Sequence, residues 1–239
     1  MKLLQLFIVI FLYSSIEAQI ISTNAAPLKK NKDKDSASVL YMDFQRLNTT
    51  PHLTQNTAFL TVPLGERANE TTLKVWSYQL GLCSPIARNL SFDGGLAMIQ
   101  TGEKYDWNST TTDSSYRYTT KYRYFGMPLQ LKFQTGKDIV FFMGAGVMPQ
   151  LFQSYKQEIA WTDSLGNAGS KMLEDKSMCQ SFVLSALAST GVQLHFKSNY
   201  GLRFSLNYRY QLTNTYGPYQ YFKHFSTGIG GGVALTRKF

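Results

Sequence analysis

The strict alternation of residues 201–212 constrains the fold of this 239-residue chain more than any other feature. Apolar and polar side chains alternate throughout the segment, which reads Gly-Leu-Arg-Phe-Ser-Leu-Asn-Tyr-Arg-Tyr-Gln-Leu. A period of two predicts a β-strand with one apolar and one polar face. The polar face carries two arginines, and the apolar face carries a tyrosine pair at one end. Such a strand suits a lipid bilayer on one side and a polar interior on the other.

Both ends of the chain are typical of an exported membrane protein. Met1 and Lys2 precede an apolar run, residues 3–13, and small residues follow up to Ala18. This pattern predicts a signal peptide over residues 1–18. The last strand-like segment ends in an aromatic residue, as the strands of outer-membrane barrels do. We therefore predict export to the cell outer membrane.

The remaining chain is long enough for one barrel. Its longest apolar stretch, about 139–149, is shorter than the roughly 20 residues of a membrane-spanning helix. A tilted barrel strand needs only about 9 to 11 residues, so eight strands fit. The sequence predicts an all-β fold, namely an eight-stranded antiparallel transmembrane β-barrel over residues 38–239. Residues 19–37 are polar and lysine-rich, which predicts a flexible, disordered N-terminal leader.

The predicted strands are joined alternately by short turns and longer loops. The second to eighth strands are predicted at 73–86, 91–106, 116–133, 138–155, 180–197, 201–212 and 225–239. Both 39–47 and 57–64 fit the first strand, which lies within residues 39–64. Tyrosines of the fourth strand are predicted to form a girdle near the outer headgroups: Tyr116, Tyr118, Tyr122 and Tyr124.

Polar residues on the inward faces predict a network inside the barrel. Its members are Asp93, Lys132, His195, Arg203, Asn207 and Arg209. The interior of an eight-stranded barrel is narrow enough for side chains to fill. Because an unpaired buried ion is costly, we expect these groups to pair and form a plug rather than a path for solutes or protons.

Cysteine, histidine and charge content predict no cofactor and no metal. The predicted strand order places Cys83 and Cys179 at opposite ends of the barrel, too far apart for a disulfide. None of the three histidines has a partner at metal-ligand spacing. The net charge of +9 is dispersed among the strands, and in an exported chain it suits lipopolysaccharide phosphates better than nucleic acid.

One hairpin resembles a known family. The run Tyr-Arg-Tyr-Phe-Gly-Met-Pro-Leu-Gln-Leu-Lys-Phe, residues 122–133, precedes Phe-Phe-Met-Gly-Ala-Gly-Val, residues 141–147. This hairpin resembles that of the PorT-like outer-membrane β-barrel proteins of Bacteroidota, and the pattern extends over about 73–239. The resemblance implies an eight-stranded outer-membrane barrel and, by analogy, a link to secretion or surface attachment. It carries over no catalytic residue.

His224 and Ser226 offer an enzymatic alternative. They lie two apart on one strand face and resemble the His-x-Ser pair of outer-membrane lipid A deacylases. Ser226 would be the nucleophile and His224 its base, but a carboxylate must orient the imidazole. No acid follows Ser226, so Glu158 in the long loop is the available candidate. A secreted soluble barrel that binds a small ligand is a further alternative.

The leading prediction is a noncatalytic, monomeric barrel that supports the envelope or presents its loops to partners. The longest predicted loop, 156–179, provides the predicted contact surface because long exposed loops carry function. Its candidate contact residues are Trp161, Asp163, Glu174 and Asp175. The predicted partners are outer-membrane lipid, lipopolysaccharide and envelope or secretion proteins, and not nucleic acid.

Overall fold

The structure is a computed structural model that describes residues 37–56, 64–196 and 199–239. Within these ranges the chain forms ten β-strands and one 3₁₀ helix, Gly65–Asn69. The strands are β1 Val39–Gln55, β2 Thr71–Ala87, β3 Leu90–Asn108, β4 Ser115–Gly126, β5 Leu129–Thr135, β6 Ile139–Thr162, β7 Ala168–Leu173, β8 Phe182–His195, β9 Tyr200–Gln211 and β10 Phe222–Lys238. The predicted signal peptide and nearly all of the predicted leader lie outside the described residues. No helix within the described ranges is long and apolar enough to cross a membrane.

Backbone pairing closes the strands into a ring. β1 pairs with β2 and, along its whole length, with β10. β4 and β5 share one position between β3 and β6, because each pairs with a different half of both neighbours. The remaining neighbours in the ring are β2–β3, β6–β8, β8–β9 and β9–β10. All pairs are antiparallel. Because β4 and β5 share one position and β7 lies off the ring, the ring has eight positions, which confirms the predicted eight-stranded barrel.

Pro128 divides the predicted fourth strand into β4 and β5. Proline has no backbone N–H and cannot donate to a strand ladder. The amide of Met127 donates to the carbonyl of Pro149 at 2.9 Å, and the carbonyl of Pro128 accepts from the amide of Gly95 at 3.2 Å. The chain therefore stays bonded to both neighbours across the break.

The first strand of the barrel is β1, which covers the predicted segment 39–47 and continues to Gln55. Its inward residues Tyr41 and Leu47 are buried, whereas Leu40 and Met42 are exposed on the outer face. The competing segment 57–64 lies outside the described residues except for its last position.

The barrel has two ends, which we call the turn end and the loop end. At the turn end, residues 88–89 and 136–138 connect neighbouring strands. At the loop end the longer connections include residues 109–114, 174–181 and 212–221. The predicted loop 156–179 is wrong over much of its length, because β6 continues to Thr162 and pairs with β7. This hairpin extends the sheet beyond the ring of strands.

The two faces of the barrel wall have opposite polarity. The outer face exposes a band of large apolar side chains, among them Leu80, Leu96, Met98, Leu131, Phe133, Phe141, Met143, Leu206, Ile229 and Leu235. The inner face buries polar and charged side chains, among them Thr49, Ser77, Asp93, Thr101, Glu103, Lys132, Gln150, Arg203 and Arg209. This is the reverse of a water-soluble protein, in which buried charges are rare and large exposed apolar patches are avoided.

The predicted tyrosine girdle on β4 is wrong. Tyr118, Tyr122 and Tyr124 are buried inside the barrel, and Tyr116 is only partly exposed. Successive strand residues face opposite sides, so even-numbered residues of β4 point inward while Phe125 faces outward. Tyrosines that do face outward are Tyr78, Tyr200, Tyr208 and Tyr210.

Candidate functional site

A charged cluster occupies the half of the interior nearer the turn end. Asp93 lies at its centre, with Lys132 Nζ 2.5 Å and Arg203 Nη1 3.5 Å from its Oδ2 atom. The hydroxyl of Tyr41 donates to the other carboxylate oxygen of Asp93. All four side chains are buried. Four strands, β1, β3, β5 and β9, thus contribute one side chain each.

Aromatic rings and a second carboxylate compensate the two buried cations. The Arg203 guanidinium lies 4.4 Å from the ring centroid of Tyr41, and the Lys132 ammonium lies 5.1 Å from that of Phe142. Both distances allow cation–π attraction. Asp43 is also buried and interacts electrostatically with both cations. Asp93 therefore pairs directly with both cations, and these side chains together occupy the turn-end half of the interior.

His195 lies at the edge of this cluster. Its Nε2 atom is 3.2 Å from the amide nitrogen of Gln193, whose oxygen accepts from Nε of Arg203 at 3.0 Å. His195 itself is partly exposed. The predicted network member Asn207 lies elsewhere and donates to the hydroxyl of Ser205 at 2.8 Å.

Arg209 lies apart from both carboxylates of the charged cluster. Its Nη2 atom donates to the carbonyl of Gln100 at 3.0 Å, and the side chain is buried. A Cβ atom on Gly228 would lie 3.6 Å from the same nitrogen. The structure thus joins Asp93, Lys132 and Arg203 directly, reaches His195 through Gln193, and leaves Asn207 and Arg209 outside these contacts.

A second polar cluster lies nearer the loop end, and we call it the loop-end cluster. The hydroxyl of Tyr122 donates to Oε1 of Glu103 at 2.8 Å and lies 2.7 Å from the hydroxyl of Tyr216. Arg67, from the 3₁₀ helix, donates to Tyr216 at 2.8 Å and to Glu70 at 3.1 Å. The cluster is completed by Tyr118, whose hydroxyl donates to the same oxygen of Glu70 at 2.8 Å.

Burial and neighbouring charges shift the pKa values of three groups in the connections at the loop end, namely Glu70, Arg67 and Cys179. Burial, followed by the charge of Glu103, raises the pKa of Glu70. Burial opposes the charged form of Arg67, but Tyr216 and Glu70 outweigh it and raise the pKa of the guanidinium. Burial also raises the pKa of the nearby Cys179 thiol to about 12, so this free cysteine is not a reactive thiolate.

His224 is fully buried within the loop-end cluster. Its ring centroid lies 5.0 Å from that of Tyr122 and 5.3 Å from that of Tyr216. Nδ1 lies 2.9 Å from the hydroxyl of Thr215, and Nε2 lies 3.4 Å from Oε2 of Glu103 without hydrogen-bond geometry.

A cavity of about 330 Å³ adjoins the loop-end cluster. Its lining includes Arg67, Glu103, Tyr118, Tyr122, Tyr155, Tyr216 and Phe222. Three buried polar atoms of the cluster have no hydrogen-bond partner among the described residues: Oε2 of Glu70, Oε2 of Glu103 and Nε2 of His224. The sequence analysis missed this site. Glu103 lies ten positions after Asp93 on β3, and this even offset indicates the same inward face, but no sequence pattern indicates the contribution of Arg67.

The geometry does not assemble the predicted catalytic pair. Ser226 Oγ donates to the amide oxygen of Gln211 at 3.0 Å, and no hydrogen bond to His224 is formed. The proposed acid was also misplaced, because Glu158 is exposed and lies 4.0 Å from Lys121. Glu103 is the carboxylate beside His224. Both His224 and Ser226 face the barrel interior rather than surrounding lipid.

The predicted contact residues lie on or beside the β6–β7 hairpin. Trp161 is the second-last residue of β6, and a Cβ on its partner Gly169 would overlap the indole ring. Asp163 closes the turn: a hydrogen bond from the Asn167 side chain, followed by one from its backbone, lowers the pKa of this carboxyl. Glu174 and Asp175 are exposed in the segment that follows β7.

The closed antiparallel ring, the apolar outer face and the polar filled interior together define an outer-membrane-type β-barrel. No protein-family model and no curated protein matches the chain. Among solved structures, Neisserial surface protein A is 13% identical with a TM-score of 0.43, over 84% of this chain and 97% of that one. OprG of Pseudomonas aeruginosa is 10% identical with a TM-score of 0.43, over 83% and 95%. Ail of Yersinia pestis is 12% identical with a TM-score of 0.32, over 83% and 98%.

Proposed function

We propose that this chain is a noncatalytic outer-membrane β-barrel with a closed interior, which holds lipopolysaccharide on its outer face and presents its loop end to partners. The observation that carries the proposal is the reversed polarity of the barrel wall, with apolar side chains outside and ion pairs inside. An apolar band around a closed barrel matches the hydrocarbon of a bilayer. In such barrels the short turns face the periplasm, so the loop end faces the exterior.

The heat dependence of the folded barrel tests this proposal. The washed outer-membrane fraction is run on a detergent gel with and without boiling. A closed barrel should resist detergent and migrate differently before boiling, because its strand ladder is intact. A protein found in the soluble fraction, with one mobility under both conditions, would instead support the secreted, ligand-binding alternative.

A basic patch supports contact with lipopolysaccharide. Lys121 of β4 lies directly opposite Lys156 of β6, and Arg123 is two residues further along β4. These side chains alternate with inward Tyr122, so they face outward. Like charges directly opposite each other destabilise a sheet, and the one carboxylate paired with the patch in the described part of the chain is Glu158, 4.0 Å from Lys121. The patch is next to the apolar band, since Arg123 adjoins the outward Phe125, and headgroup phosphates would lie at this level.

Paired substitutions test the basic patch. We expect the double variant Lys121→Gln with Lys156→Gln to retain less lipopolysaccharide during purification from outer membranes, because two phosphate contacts are lost. Lys171→Gln, on the projecting strand β7, is the matched control and should retain the wild-type amount. Equal retention by all three proteins would refute the patch as a lipopolysaccharide site.

The β6–β7 hairpin supports partner binding at the loop end. β7 pairs with β6 along one edge, and in the described part of the chain no strand covers its other edge. An uncovered edge can add an extended segment of another protein by backbone hydrogen bonding. Trp161 is 40% exposed beside it and offers an apolar contact. The PorT-like resemblance implies that this partner belongs to a secretion system, and we include that in the proposal.

The lipid A hydrolase alternative has less support. Ser226 hydrogen-bonds to Gln211, and His224 is fully buried within a ring of tyrosines. A nucleophile that attacks a membrane lipid must reach the lipid face. If the wild-type protein nevertheless removed an acyl chain from lipid A and Ser226→Ala abolished that mass shift, the noncatalytic proposal would be wrong.

A further inference from the structure

Free hydrogen-bond acceptors lie at and near the loop-end cavity. A carboxylate can only accept hydrogen bonds, and Glu70 and Glu103 each have one buried oxygen without a hydrogen-bond partner in the described part of the chain. Nε2 of His224 lies 3.4 Å from the free oxygen of Glu103, at ion-pair distance but without hydrogen-bond geometry. If Nδ1 of His224 donates to Thr215, Nε2 is a further acceptor. Unsatisfied buried acceptors are costly, so a donor-rich group would stabilise this arrangement.

The side chains around the cavity carry more negative than positive charge, which favours a donor-rich group that is a cation. Glu66 and Glu103 line the cavity, and Glu70 accepts hydrogen bonds from the lining residues Arg67 and Tyr118, whereas Arg67 is the one lysine or arginine among the described lining residues. Carboxylates therefore outnumber guanidinium groups in a partly enclosed space. Interactions between charges are stronger here than at an open surface, because less water screens them.

The aromatic walls show how a cation is held in this environment. The guanidinium of Arg67 lies 5.4 Å from the ring centroid of Tyr216 and 5.8 Å from that of Phe222. It combines these ring contacts with hydrogen bonds to Tyr216 and Glu70. Tyr118, Tyr122 and Tyr155 provide further ring surface around the same space. Aromatic rings beside carboxylates form a well-known environment for organic cations.

We propose that the loop-end cavity binds a small organic ammonium ion, with Glu103 as its principal anchor. The ammonium group supplies three donors, of which one meets the free oxygen of Glu103 and the others meet hydroxyl oxygens of the lining tyrosines. The methylene groups next to the nitrogen pack against the tyrosine rings. A volume of about 330 Å³ suits a small aliphatic amine, at the lower end of the range for ligand pockets. This function is independent of the lipopolysaccharide and partner surfaces proposed above.

The test uses the full-length barrel in detergent micelles and putrescine as the probe. Binding is measured by calorimetry at fixed ionic strength, with 1,4-butanediol as the neutral control of similar shape. We expect saturable binding of putrescine and none of the diol. Glu103→Gln should weaken binding about tenfold or more, equivalent to about 1.4 kcal/mol, because one ionic contact is lost while the side-chain shape is kept.

Two further variants make the result specific. Glu158→Gln is the matched control, since it removes the same charge from an exposed site outside the cavity. It should bind putrescine like the wild type. Glu66→Gln removes a carboxylate from the exposed part of the lining, where a folding defect is not expected, and should weaken binding to a smaller extent. The heat-dependent gel shift verifies that each variant is folded.

Three results would overturn the proposal. The first is an absence of putrescine binding by the folded wild type, which would mean that water alone satisfies the free polar atoms. The second is equal loss of affinity in Glu103→Gln and Glu158→Gln. The third is Glu103-dependent binding of Ca²⁺ without binding of putrescine, which would assign the site to a metal ion.

Discussion

At the scale of residues, β3 carries two buried carboxylates on the same inward face with different environments. Asp93 contacts Lys132 and Arg203, so its charge is compensated by two cations. Glu103 accepts from Tyr122 but has no lysine or arginine of residues 37–56, 64–196 or 199–239 within ion-pair distance. The first arrangement closes the barrel, whereas the second leaves free acceptors beside a cavity. The difference follows from which strands lie opposite each carboxylate.

Asp93→Asn tests the contribution of the charged cluster to stability. The substitution leaves two buried cations short of one anion, which typically costs about 3–5 kcal/mol when a buried pair is broken. We expect a lower guanidinium midpoint for unfolding in detergent micelles. Asp138→Asn, an exposed position at the turn end, is the matched control and should unfold like the wild type. A wild-type midpoint for Asp93→Asn would show that the cluster is not stabilising.

At the scale of elements, the β6–β7 hairpin shows how local packing extends a sheet beyond the barrel. Gly169 has no side chain, and the indole of Trp161 occupies the space above it. Asp163 accepts hydrogen bonds from the backbone amides of Leu165 and Asn167, which fixes the turn between the strands. These local contacts turn the predicted loop into ordered strand, which can present a defined edge to a partner.

Gly169→Ala tests the packing within this hairpin. A Cβ at this position would overlap the Trp161 ring, so the indole should move into solvent and its fluorescence should shift to longer wavelength. The barrel itself should keep its heat-dependent gel shift, since the hairpin lies outside the ring of strands. Trp161→Phe identifies the contribution of this indole among the three tryptophans. An unchanged spectrum in Gly169→Ala would contradict the packing described here.

At the scale of the whole molecule, polar contacts close the interior and apolar contacts cover the exterior. The charged cluster occupies the turn-end half of the interior. Arg209 and the loop-end cluster occupy positions nearer the loop end. An eight-stranded barrel has little room left once such side chains are packed inside. The proposed function therefore assigns activity to the outer surface and to the loop end, not to transport through the barrel.

Reconstitution into planar lipid bilayers tests the closed interior. We expect no unit conductance from the wild-type protein, because ion pairs and aromatic rings obstruct the axis of the barrel. A large-pore porin is the positive control for insertion and detection. Steady unit steps from the purified wild-type protein, abolished by heat denaturation, would show that the interior conducts ions and would refute this part of the proposal.

The alternation of side chains by itself determined the class of fold and the two faces of most strands. It also indicates that Tyr122 and Tyr124 point inward, because both are one residue from an outward-facing position, Arg123 or Phe125. The aromatic composition of the strand suggested an outer girdle instead. Only the tertiary structure decided which inward residues meet. Arg67 and Tyr216 are 149 residues apart in the chain, and they contact each other because the 3₁₀ helix and the connection 212–221 meet at the loop end. Periodicity within a strand specifies a face, but the partners on that face depend on strand register and loop path around the closed ring.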